Sequence, residues 1–511
     1  MTTNKKWLFL ALFLCFFYLL VLQVIAVWPY TIDDMYISLR YAKNWVDGYG
    51  LIWNLGDEPV EGYSNFSFVV LAALAIRMGL DPVVLLKAVN VISLLFSSLA
   101  IYCLSRFWFR GWLATIPCLW MLAYRGEIIW SVSGLETIFY QALICFSLFF
   151  LLRGMGYCLY PEPRKKPSLS FFAISGFLLA MAGLTRPEAP ALMILFAALA
   201  LLDSPKEMKG DYYKKLLAGC LVCIAIFLPY FLWRWHYYGR LFPNPVYCKG
   251  ISDFFWVLNR TYLTLALPFF FLSLVAMHVA EDKRHYFFWL PSLVYLALLA
   301  HADPVSALDN RLFLPVFVLL LPLAFSGLAT VLDYFVVEKD LFYYACLLML
   351  AFWIAFLFLK PSSLKNYRYF TINPVNGYVL RNKVLAWLNH NAPANSPVVL
   401  ADSGQIPYLS PLPYLDSYCL NNKAMTTIYK NDMYQGFCSD VMVRKPPVVI
   451  LTSLIENDGN VIYAPVDACL KEHFKNDSIY KFQRTYEVKS VEFIYRYEIY
   501  VLRGRTGVQV G

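Results

Sequence analysis

The chain has 511 residues, of which 60% are hydrophobic and only 15% charged, and its mean hydropathy is +0.55. A soluble domain carries about 25% charged residues, so the composition excludes an ordinary soluble protein and indicates a polytopic α-helical membrane protein. The formal net charge is +9, but the lysines and arginines gather in short segments between apolar runs. Membrane topology explains that pattern better than a polyanionic partner does, so we expect no nucleic-acid binding.

Apolar runs long enough to cross a bilayer recur through the first 360 residues. We predict about eleven spans, near residues 7–29, 82–104, 112–130, 137–152, 169–184, 189–203, 213–233, 256–279, 286–300, 312–333 and 341–360. The first run follows Lys5 and Lys6, as in a signal peptide, but it ends Val27-Trp28-Pro29 without a small-residue cleavage site. We therefore expect it to stay as an anchor.

The distribution of basic residues orients these spans. With eleven spans, the dense basic clusters all fall on the side of the amino terminus, which the positive-inside rule makes the inner side. These clusters are Arg164-Lys165-Lys166, Lys206 with Lys209, Lys214-Lys215 and Lys283-Arg284. Counting the short run Phe66 to Leu80 as a twelfth span would place every cluster outside. We predict instead that this run enters the membrane without crossing, with the amino terminus inside and the carboxy-terminal segment outside.

The composition changes sharply beyond Lys360. Residues 361–511 hold no predicted span, and about 150 residues suffice for one independent core. Strand-like runs are Pro397 to Leu400, Val448 to Thr452 and Val491 to Leu502, and Tyr378 to His390 is helical. We predict a soluble α/β domain on the outer face, after a transmembrane catalytic domain of residues 1–360 that includes an outer loop at 30–65 and interfacial helices to residue 81. The outer domain has no Gly-rich nucleotide loop, which disfavours a cytosolic nucleotide donor there.

The cysteines give limited information. Most lie in predicted spans, whereas Cys419, Cys438 and Cys469 lie in the outer domain. One disulfide among these three would leave one thiol, and the sequence leaves the pairing open. No CxxC or His-rich metal pattern occurs.

Two acids, Asp33 and Asp34, follow the first span closely. In the middle of a span an acid would cost roughly 3 kcal/mol or more, whereas an acid just outside is cheap to keep ionised, so Asp33 is available as a base. The next residues, Met35 to Trp45, place an apolar stripe at helical spacing and predict a helix lying in the membrane interface. The alternative is that the acids simply end an apolar run.

The predicted outer loops gather polar residues that a packed bundle would not need. They are Asp33, Asp34, Glu58, Glu61, Tyr63, Asn65, Glu127, Glu136, Arg186, Glu188, Arg234, His236, Arg240, Asn244, His301, Asp303, Asp309, Asn310 and Arg311. Any one of them could be a solvated loop charge or a helix cap. Together they place carboxylates suited to base catalysis with guanidiniums that could hold a phosphate bidentately.

Several segments carry a family resemblance. They are Thr31 to Ala42, Asp47 to Asn54, Val60 to Phe66, Trp130 to Thr137, Gly183 to Glu188, Asn310 to Pro315 and Ala401 to Tyr408. The set resembles the mycobacterial terminal arabinofuranosyltransferases and the related LphB-like bacterial membrane proteins, which are class C glycosyltransferases. The resemblance covers most of the chain and is more specific to the superfamily than to the sugar.

The resemblance implies a glycosyltransferase of the bacterial inner membrane, with a cytoplasmic amino terminus and a periplasmic carboxy-terminal domain. Such an enzyme moves a monosaccharide, for example arabinofuranose, from a polyprenyl phosphate to a cell-envelope glycan acceptor with inversion. Asp33 would be the general base, with Asp34 orienting the acceptor or binding a cation, and Arg186 and Arg311 would bind the donor phosphate. The residues expected to contact the sugar or acceptor are Glu61, Tyr63, Asn65, Glu136, Glu188, Asp402 and Gln405.

Some alternatives remain open at this stage. The arginines could instead form loop salt bridges, Arg186 with Glu188 or Arg311 with Asp309. No metal or other cofactor is expected to be required, although acidic side chains could hold a divalent cation. A secondary transporter or flippase, which would show ionisable groups at the midplane and repeat symmetry, is one alternative function. A non-catalytic glycan-binding scaffold is another.

Overall fold

The computed structural model describes residues 14, 17–205, 209–249, 256–280, 282–303, 307–335, 349, 368–429, 432–476, 479–491 and 493–504. The chain forms two compact units. Unit 1 consists of residues 1–27, 87–233 and 251–366, and unit 2 consists of residues 28–86, 234–250 and 367–511. Residues 28–86, which we assigned to the 1–360 domain, therefore group with the carboxy-terminal residues. The predicted span 341–360 and the beginning of 7–29 lie largely outside the described residues.

Apolar helices dominate the described part of unit 1, and some continue into unit 2. They are α1 (Phe17–Val27), α4 (Pro82–Ser105), α5 (Ile116–Ala123), α6 (Arg125–Val132), α7 (Thr137–Gly154), α8 (Leu169–Gly183), α9 (Ala189–Leu202), α10 (Lys209–Tyr238), α12 (Val257–Val279), α13 (Tyr286–Leu298) and α14 (Leu314–Phe335). A 3-10 turn, Leu308–Phe313, leads into α14, and another, Gly111–Thr115, leads into α5. Within the described ranges, five helical segments are long and apolar enough to cross a membrane. This is the pattern of a multi-pass membrane protein.

The predicted continuous span 112–130 is wrong, because the helix breaks at Tyr124. This residue has extended backbone angles and separates α5 from α6. Its hydroxyl donates to the carbonyl of Asp309 at 3.0 Å and accepts from the Asn310 amide at 3.1 Å. Asp309 and Asn310 themselves have left-handed backbone angles, with φ of 50° and 58°. Hydropathy does not register such side-chain-to-loop bonds, so this break could not be predicted from the apolar pattern.

Two helices near the start of unit 2 agree with the sequence in their bounds. They are α2 (Met35–Val46) and α3 (Phe66–Arg77). The apolar stripe of α2 is covered by protein rather than exposed as an interfacial helix would expose it, since Ile37 and Tyr41 are buried. Arg40 is buried as well, and its guanidinium donates to the carbonyls of Trp53 and Pro407. The apolar stripe of α2 therefore packs against protein, while the position of α2 in the membrane interface and partial membrane entry by residues 66–80 stay predictions.

The carboxy-terminal part of unit 2 contains a mixed sheet in the order β2-β1-β3-β6-β5, with β4 paired to β3. Its strands are β1 (Val398–Leu400), β2 (Tyr414–Asp416), β3 (Val448–Glu456), β4 (Val461–Tyr463), β5 (Tyr480–Lys489) and β6 (Phe493–Leu502). Strand β1 is parallel to β2 and β3, and the other pairs are antiparallel. The predicted α/β character and three of the strands are confirmed. Strand β5 was missed because its many charged side chains leave it half exposed.

Helices complete unit 2 around this sheet. They are α11 (Asn244–Lys249), α15 (Arg368–Asn391), α16 (Gln405–Leu409), α17 (Lys423–Thr427), α18 (Met433–Arg444) and α19 (Pro465–Asn476). Leu380, Val384 and Leu388 of α15 share a buried core with apolar side chains of β1, β3 and β6. Their spacing of four residues puts them on one face of the helix. This packing fixes the position of α15, in which Arg381, the residue after Leu380, enters the site described below.

The cysteine prediction needs correction. Two disulfides occur within the described part of unit 2. One joins Cys248 to Cys419, and the other joins Cys438 to Cys469. No thiol therefore remains among Cys419, Cys438 and Cys469. The prediction failed because it counted only the residues beyond 360, whereas Cys248 lies in the segment 234–250 that also belongs to unit 2.

Candidate functional site

Asp33, just before α2, is the centre of a polar cluster within unit 2. Its Oδ1 accepts from the backbone N–H of Gln405 at 3.0 Å, and its Oδ2 accepts from the N–H of Gly404 at 3.1 Å. The Nε of Arg381 lies 3.1 Å from the same Oδ1. The Asp33 side chain is only 15% exposed. Two backbone hydrogen bonds and one ion pair therefore fix a carboxylate that has lost most of its water.

Arg381 also contacts a second carboxylate, that of Asp402. The Nη2 atom of Arg381 lies 3.3 Å from Asp402 Oδ2. The same oxygen accepts from the hydroxyl of Tyr495 at 2.7 Å and from the hydroxyl of Tyr497. Tyr495 and Tyr497 are two residues apart on β6, so their side chains lie on the same face of the sheet. Asp402 follows β1 closely and is thereby brought to Arg381.

The environment of Asp33 changes its basicity. Burial raises the pKa of Asp33 from 3.8 to about 6, against the opposing effect of Arg381, while Asp402 and Asp34 add to the rise. Our expectation of a solvated acid that is cheap to ionise is therefore corrected, since protein donors rather than water support the charge. At neutral pH such a group is mostly ionised yet is a stronger base than an ordinary aspartate. Shifts of this kind are frequent at functional sites.

Gly404 makes this contact sterically possible. A Cβ atom added at Gly404 would lie 2.2 Å from the carbonyl oxygen of Asp33 and 2.3 Å from its Oδ2. Both distances are shorter than any normal contact, and the first involves backbone that cannot rotate away. The approach of the Gly404 N–H to Asp33 therefore requires glycine.

The other predicted residues of unit 2 have protein partners. Asp34 lies 3.5 Å from Lys249 Nζ, and its side chain is 31% exposed. Both carboxylate oxygens of Glu61 contact Arg234 in a buried ion pair. Tyr63 and Tyr238 share a hydrogen bond between their hydroxyls, and Asn65 accepts from Ser38. Glu61, Tyr63 and Asn65 thus hold the loop internally.

Unit 1 contains a separate cluster around Glu136. Arg186 donates from Nη1 to Glu136 at 2.6 Å and forms a bidentate pair with Glu188, at 2.6 Å and 3.0 Å. Arg311 lies farther from Glu136, at 3.4 Å, and donates from Nε to Thr137 Oγ1 at 3.1 Å. The loop salt bridge of Arg186 with Glu188 is therefore present. Asp309, the alternative partner suggested for Arg311, forms an ion pair with Arg125 at 2.7 Å.

The sequence analysis treated the predicted site residues as one set, whereas the structure brings seven of them together in two groups. Asp33, Asp402 and Gln405 come together in unit 2, and the four residues Glu136, Arg186, Glu188 and Arg311 come together in unit 1. Sequence reasoning missed Arg381, Tyr495 and Tyr497. The available signal was weak: an arginine within a predicted helix, and two tyrosines at the alternating spacing of a strand.

Comparisons with known proteins identify the fold. A domain of unknown function (DUF8728) matches residues 368–506, and no curated protein matches the chain. The structure of ArnT from Cupriavidus metallidurans bound to undecaprenyl phosphate has a TM-score of 0.54 and 14% identity, covering 97% of this chain and 98% of that one. The archaeal oligosaccharyltransferase AglB from Archaeoglobus fulgidus, in complex with an inhibitory peptide and a dolichol-phosphate, has a TM-score of 0.56 and 10% identity, covering 95% and 80%.

A third similar structure is the arabinofuranosyltransferase AftD from Mycobacteria. It has a TM-score of 0.52 and 12% identity, and the similarity covers 95% of this chain but 41% of AftD. All three proteins are members of the class C glycosyltransferase superfamily. The resemblance that the sequence indicated is thereby confirmed at the level of the fold.

We expect Gly404→Ala to destabilise unit 2 by about 1–3 kcal/mol, because the added methyl group must displace Asp33 or its backbone. Thermal unfolding of the purified protein in detergent would show the loss as a midpoint lowered by several degrees. Gly210→Ala is the matched control, since a Cβ added there meets nothing within 4 Å. An unchanged midpoint for Gly404→Ala would contradict the close packing of Gly404 on Asp33.

Proposed function

We propose that this protein is a membrane glycosyltransferase that moves a monosaccharide from a polyprenyl phosphate to a cell-envelope glycan acceptor, with inversion at the anomeric carbon. Its proposed location is the bacterial inner membrane, with the amino terminus cytoplasmic and the carboxy-terminal domain periplasmic. The observation that carries this proposal is the buried Asp33 carboxylate, which two backbone N–H groups and the Arg381 ion pair hold and whose pKa is raised to about 6. The class C glycosyltransferase fold supplies its setting.

Asp33 acts as the general base in this proposal. As the acceptor hydroxyl oxygen attacks the anomeric carbon, its proton passes to Asp33 while the bond from that carbon to the phosphate oxygen breaks. The leaving phosphate keeps the electron pair and remains on the lipid. Among the described residues, Gly404 is the hydrogen-bond donor to Asp33 Oδ2, so one lone pair of that oxygen is available to take a proton. Asp34, paired more loosely with Lys249, would orient the acceptor.

The donor phosphate is assigned to Arg311 and Arg186. Guanidiniums suit this role because they bind phosphate bidentately and stabilise the charge that develops on the leaving group. Arg186 is held by two glutamates at 2.6 Å, whereas the contact of Arg311 with Glu136 is 3.4 Å. Arg311 is therefore the better candidate for direct phosphate contact. Arg186 would mainly keep Glu136 and Glu188 charged and in place.

An apolar cavity in unit 1 supports a lipid-linked donor. Its volume is about 410 Å³, and its lining includes Leu179 of α8, Met193 of α9 and Phe227 of α10. Helices α8 and α9 flank the turn that carries Arg186 and Glu188. A polyprenyl phosphate combines an apolar chain with an anionic group. Undecaprenyl phosphate and dolichol-phosphate are present in the ArnT and AglB structures, which favours this donor class.

The sugar proposed is a pentofuranose such as arabinofuranose, on the likeness to AftD. Asp402 and Gln405 are the preferred contacts for sugar or acceptor because they adjoin Asp33. Glu136 and Glu188 would act near the phosphate through their arginines. Glu61, Tyr63 and Asn65, which are bonded internally, would shape the loop that presents the acceptor.

We expect Asp33→Asn to lower turnover by roughly 100-fold or more, because the amide keeps the shape of the side chain but is not a base. The measurement is the steady-state rate of sugar transfer, with donor binding measured separately and expected to survive. In the unchanged protein the rate should rise with pH through about 6 and then level off, since only ionised Asp33 accepts a proton. Asp47→Asn, at an exposed aspartate just after α2, is the matched control. Undiminished turnover in Asp33→Asn would remove Asp33 from the mechanism.

Replacing Arg311 by lysine keeps the charge but loses the planar fork that binds two phosphate oxygens. We expect Arg311→Lys to weaken the apparent affinity for the polyprenyl-phosphate donor by about 10-fold, at roughly 1–2 kcal/mol for one charged hydrogen bond. Arg186→Lys should lower thermal stability as well, because it breaks a buried bidentate pair. Donor titration of both variants separates the roles. Unchanged donor affinity in both would show that these arginines only hold loops.

A further inference from the structure

The Asp33 site concentrates negative charge. Asp33 and Asp402 both contact Arg381, and Asp34 is the adjacent acid in the chain. Each of the two contacting carboxylates is less than one-fifth exposed. Two ionised carboxylates that share so little water require a nearby cation, since otherwise one of them would take up a proton.

Divalent cations often meet this need, because carboxylate oxygens are the preferred ligands of Mg²⁺ and Ca²⁺. Here the guanidinium of Arg381 contacts both carboxylates instead. Arg381 approaches Asp33 Oδ1 with Nε at 3.1 Å and Asp402 Oδ2 with Nη2 at 3.3 Å, so one planar group spans both acids. Its own side chain is 14% exposed, and its charged carbon lies 5.9 Å from the centre of the Tyr495 ring.

Other contacts hold this arrangement in place. Asp402 Oδ2 accepts from the Tyr495 and Tyr497 hydroxyls as well as facing Arg381, so its orientation is fixed from β6. Asp33 is fixed by the backbone of Gly404 and Gln405. These bonds therefore fix both carboxylates at positions from which they face the guanidinium and, in its absence, could face a metal ion. Arginine remains charged throughout the physiological pH range, which makes it a permanent replacement for such an ion.

We propose that Arg381 is the built-in cation of the Asp33 site, a positioning residue that bridges Asp33 and Asp402 where a divalent metal would otherwise bind and so makes the reaction independent of metal. This inference rests on the proposed function only where it concerns turnover. The claim that Arg381 occupies a latent cation site can be tested without a substrate.

The substrate-free test uses Tb³⁺, a Ca²⁺ substitute whose luminescence is sensitised by nearby tyrosine rings. The purified unchanged protein should show no saturable Tb³⁺ signal from this site, whereas Arg381→Gln should gain one, because Tyr495 and Tyr497 adjoin the two acids that lose their guanidinium. Lys383→Gln is the matched control, since it removes an exposed positive charge from the same helix. The double variant Arg381→Gln with Asp402→Asn should lose the gained signal, which assigns it to this site.

The turnover test uses the polyprenyl-phosphate donor and a chelator. The unchanged protein should keep its full rate in EDTA. Arg381→Gln should lose about 10-fold or more, and millimolar Ca²⁺ or Mg²⁺ should restore part of that loss. Arg381→Lys should retain an intermediate rate without metal, since it keeps the charge but cannot span both acids.

The pH profile gives a readout that a merely structural role would not produce. Arg381 lowers the pKa of Asp33, so its removal should move the midpoint of the rate profile to higher pH, and added metal should move it back. The groups that also act on or face Asp33 are Asp34, Asp402, Tyr36, Tyr495 and Tyr497. These groups stay unchanged in Arg381→Gln, so the movement reports the lost guanidinium.

The inference would be overturned if the unchanged protein lost activity in EDTA. It would also be overturned if that protein showed a saturable Tb³⁺ signal at the Asp33 site that added Ca²⁺ removes. A folded Arg381→Gln that neither binds Tb³⁺ nor responds to Ca²⁺ would also overturn it. If Arg381→Gln fails to fold, the Tb³⁺ and EDTA measurements on the unchanged protein and the metal-free rate of Arg381→Lys still test the inference. If the proposed function is wrong, no donor will support sugar transfer. The Tb³⁺ result does not depend on transfer and would still stand.

Discussion

The contact between Asp33 and Arg381 is the interaction on which the candidate site depends. A carboxylate that is largely removed from water stays ionised only if a cation or several hydrogen bonds replace that water. Arg381 and the backbone of Gly404 and Gln405 do this for Asp33. The price of such a buried pair is stringent geometry, which explains why Gly404 has no room for a side chain. These contacts offset only part of the cost of burying the charge, so the pKa of Asp33 stays above that of an ordinary aspartate.

The same constraint governs the cluster of unit 1. Two arginines, Arg186 and Arg311, face two glutamates, Glu136 and Glu188, so the formal charges balance. Removing either partner of such a buried pair leaves the other uncompensated, and the cost is roughly 3–5 kcal/mol. A donor phosphate would add negative charge to a balanced cluster. In the proposed function such a phosphate would therefore contact Arg311, the arginine that lies farther from Glu136.

The sequence predicts those features that depend on local pattern. Hydropathy predicts the membrane helices, the helical spacing of residues 35–45 predicts α2, and the apolar run 448–452 predicts β3. Prediction from sequence fails where a polar contact or a disulfide between distant segments determines the local structure. The break at Tyr124 depends on bonds to Asp309 and Asn310, which lie far along the chain. The bond between Cys248 and Cys419 likewise joins segments that the sequence does not mark as neighbours.

The site shows the same division. Asp33 could be selected from sequence because an acid just after a membrane span can stay ionised and is available as a base. Its environment could not be derived, because it is made by Arg381 from α15, by the turn at Gly404 and by tyrosines of β6 acting through Asp402. Those residues are ordinary members of a helix, a turn and a strand until the fold brings them to one carboxylate.

The most direct test of the central claim is to incubate the purified protein with a panel of polyprenyl-phosphate sugars and a glycan acceptor, and to follow release of the lipid phosphate. Our account predicts release with at least one donor, stoichiometric with sugar transfer to the acceptor and dependent on Asp33. Absence of release across pentofuranose and hexose donors, or release that Asp33→Asn leaves undiminished, would contradict it.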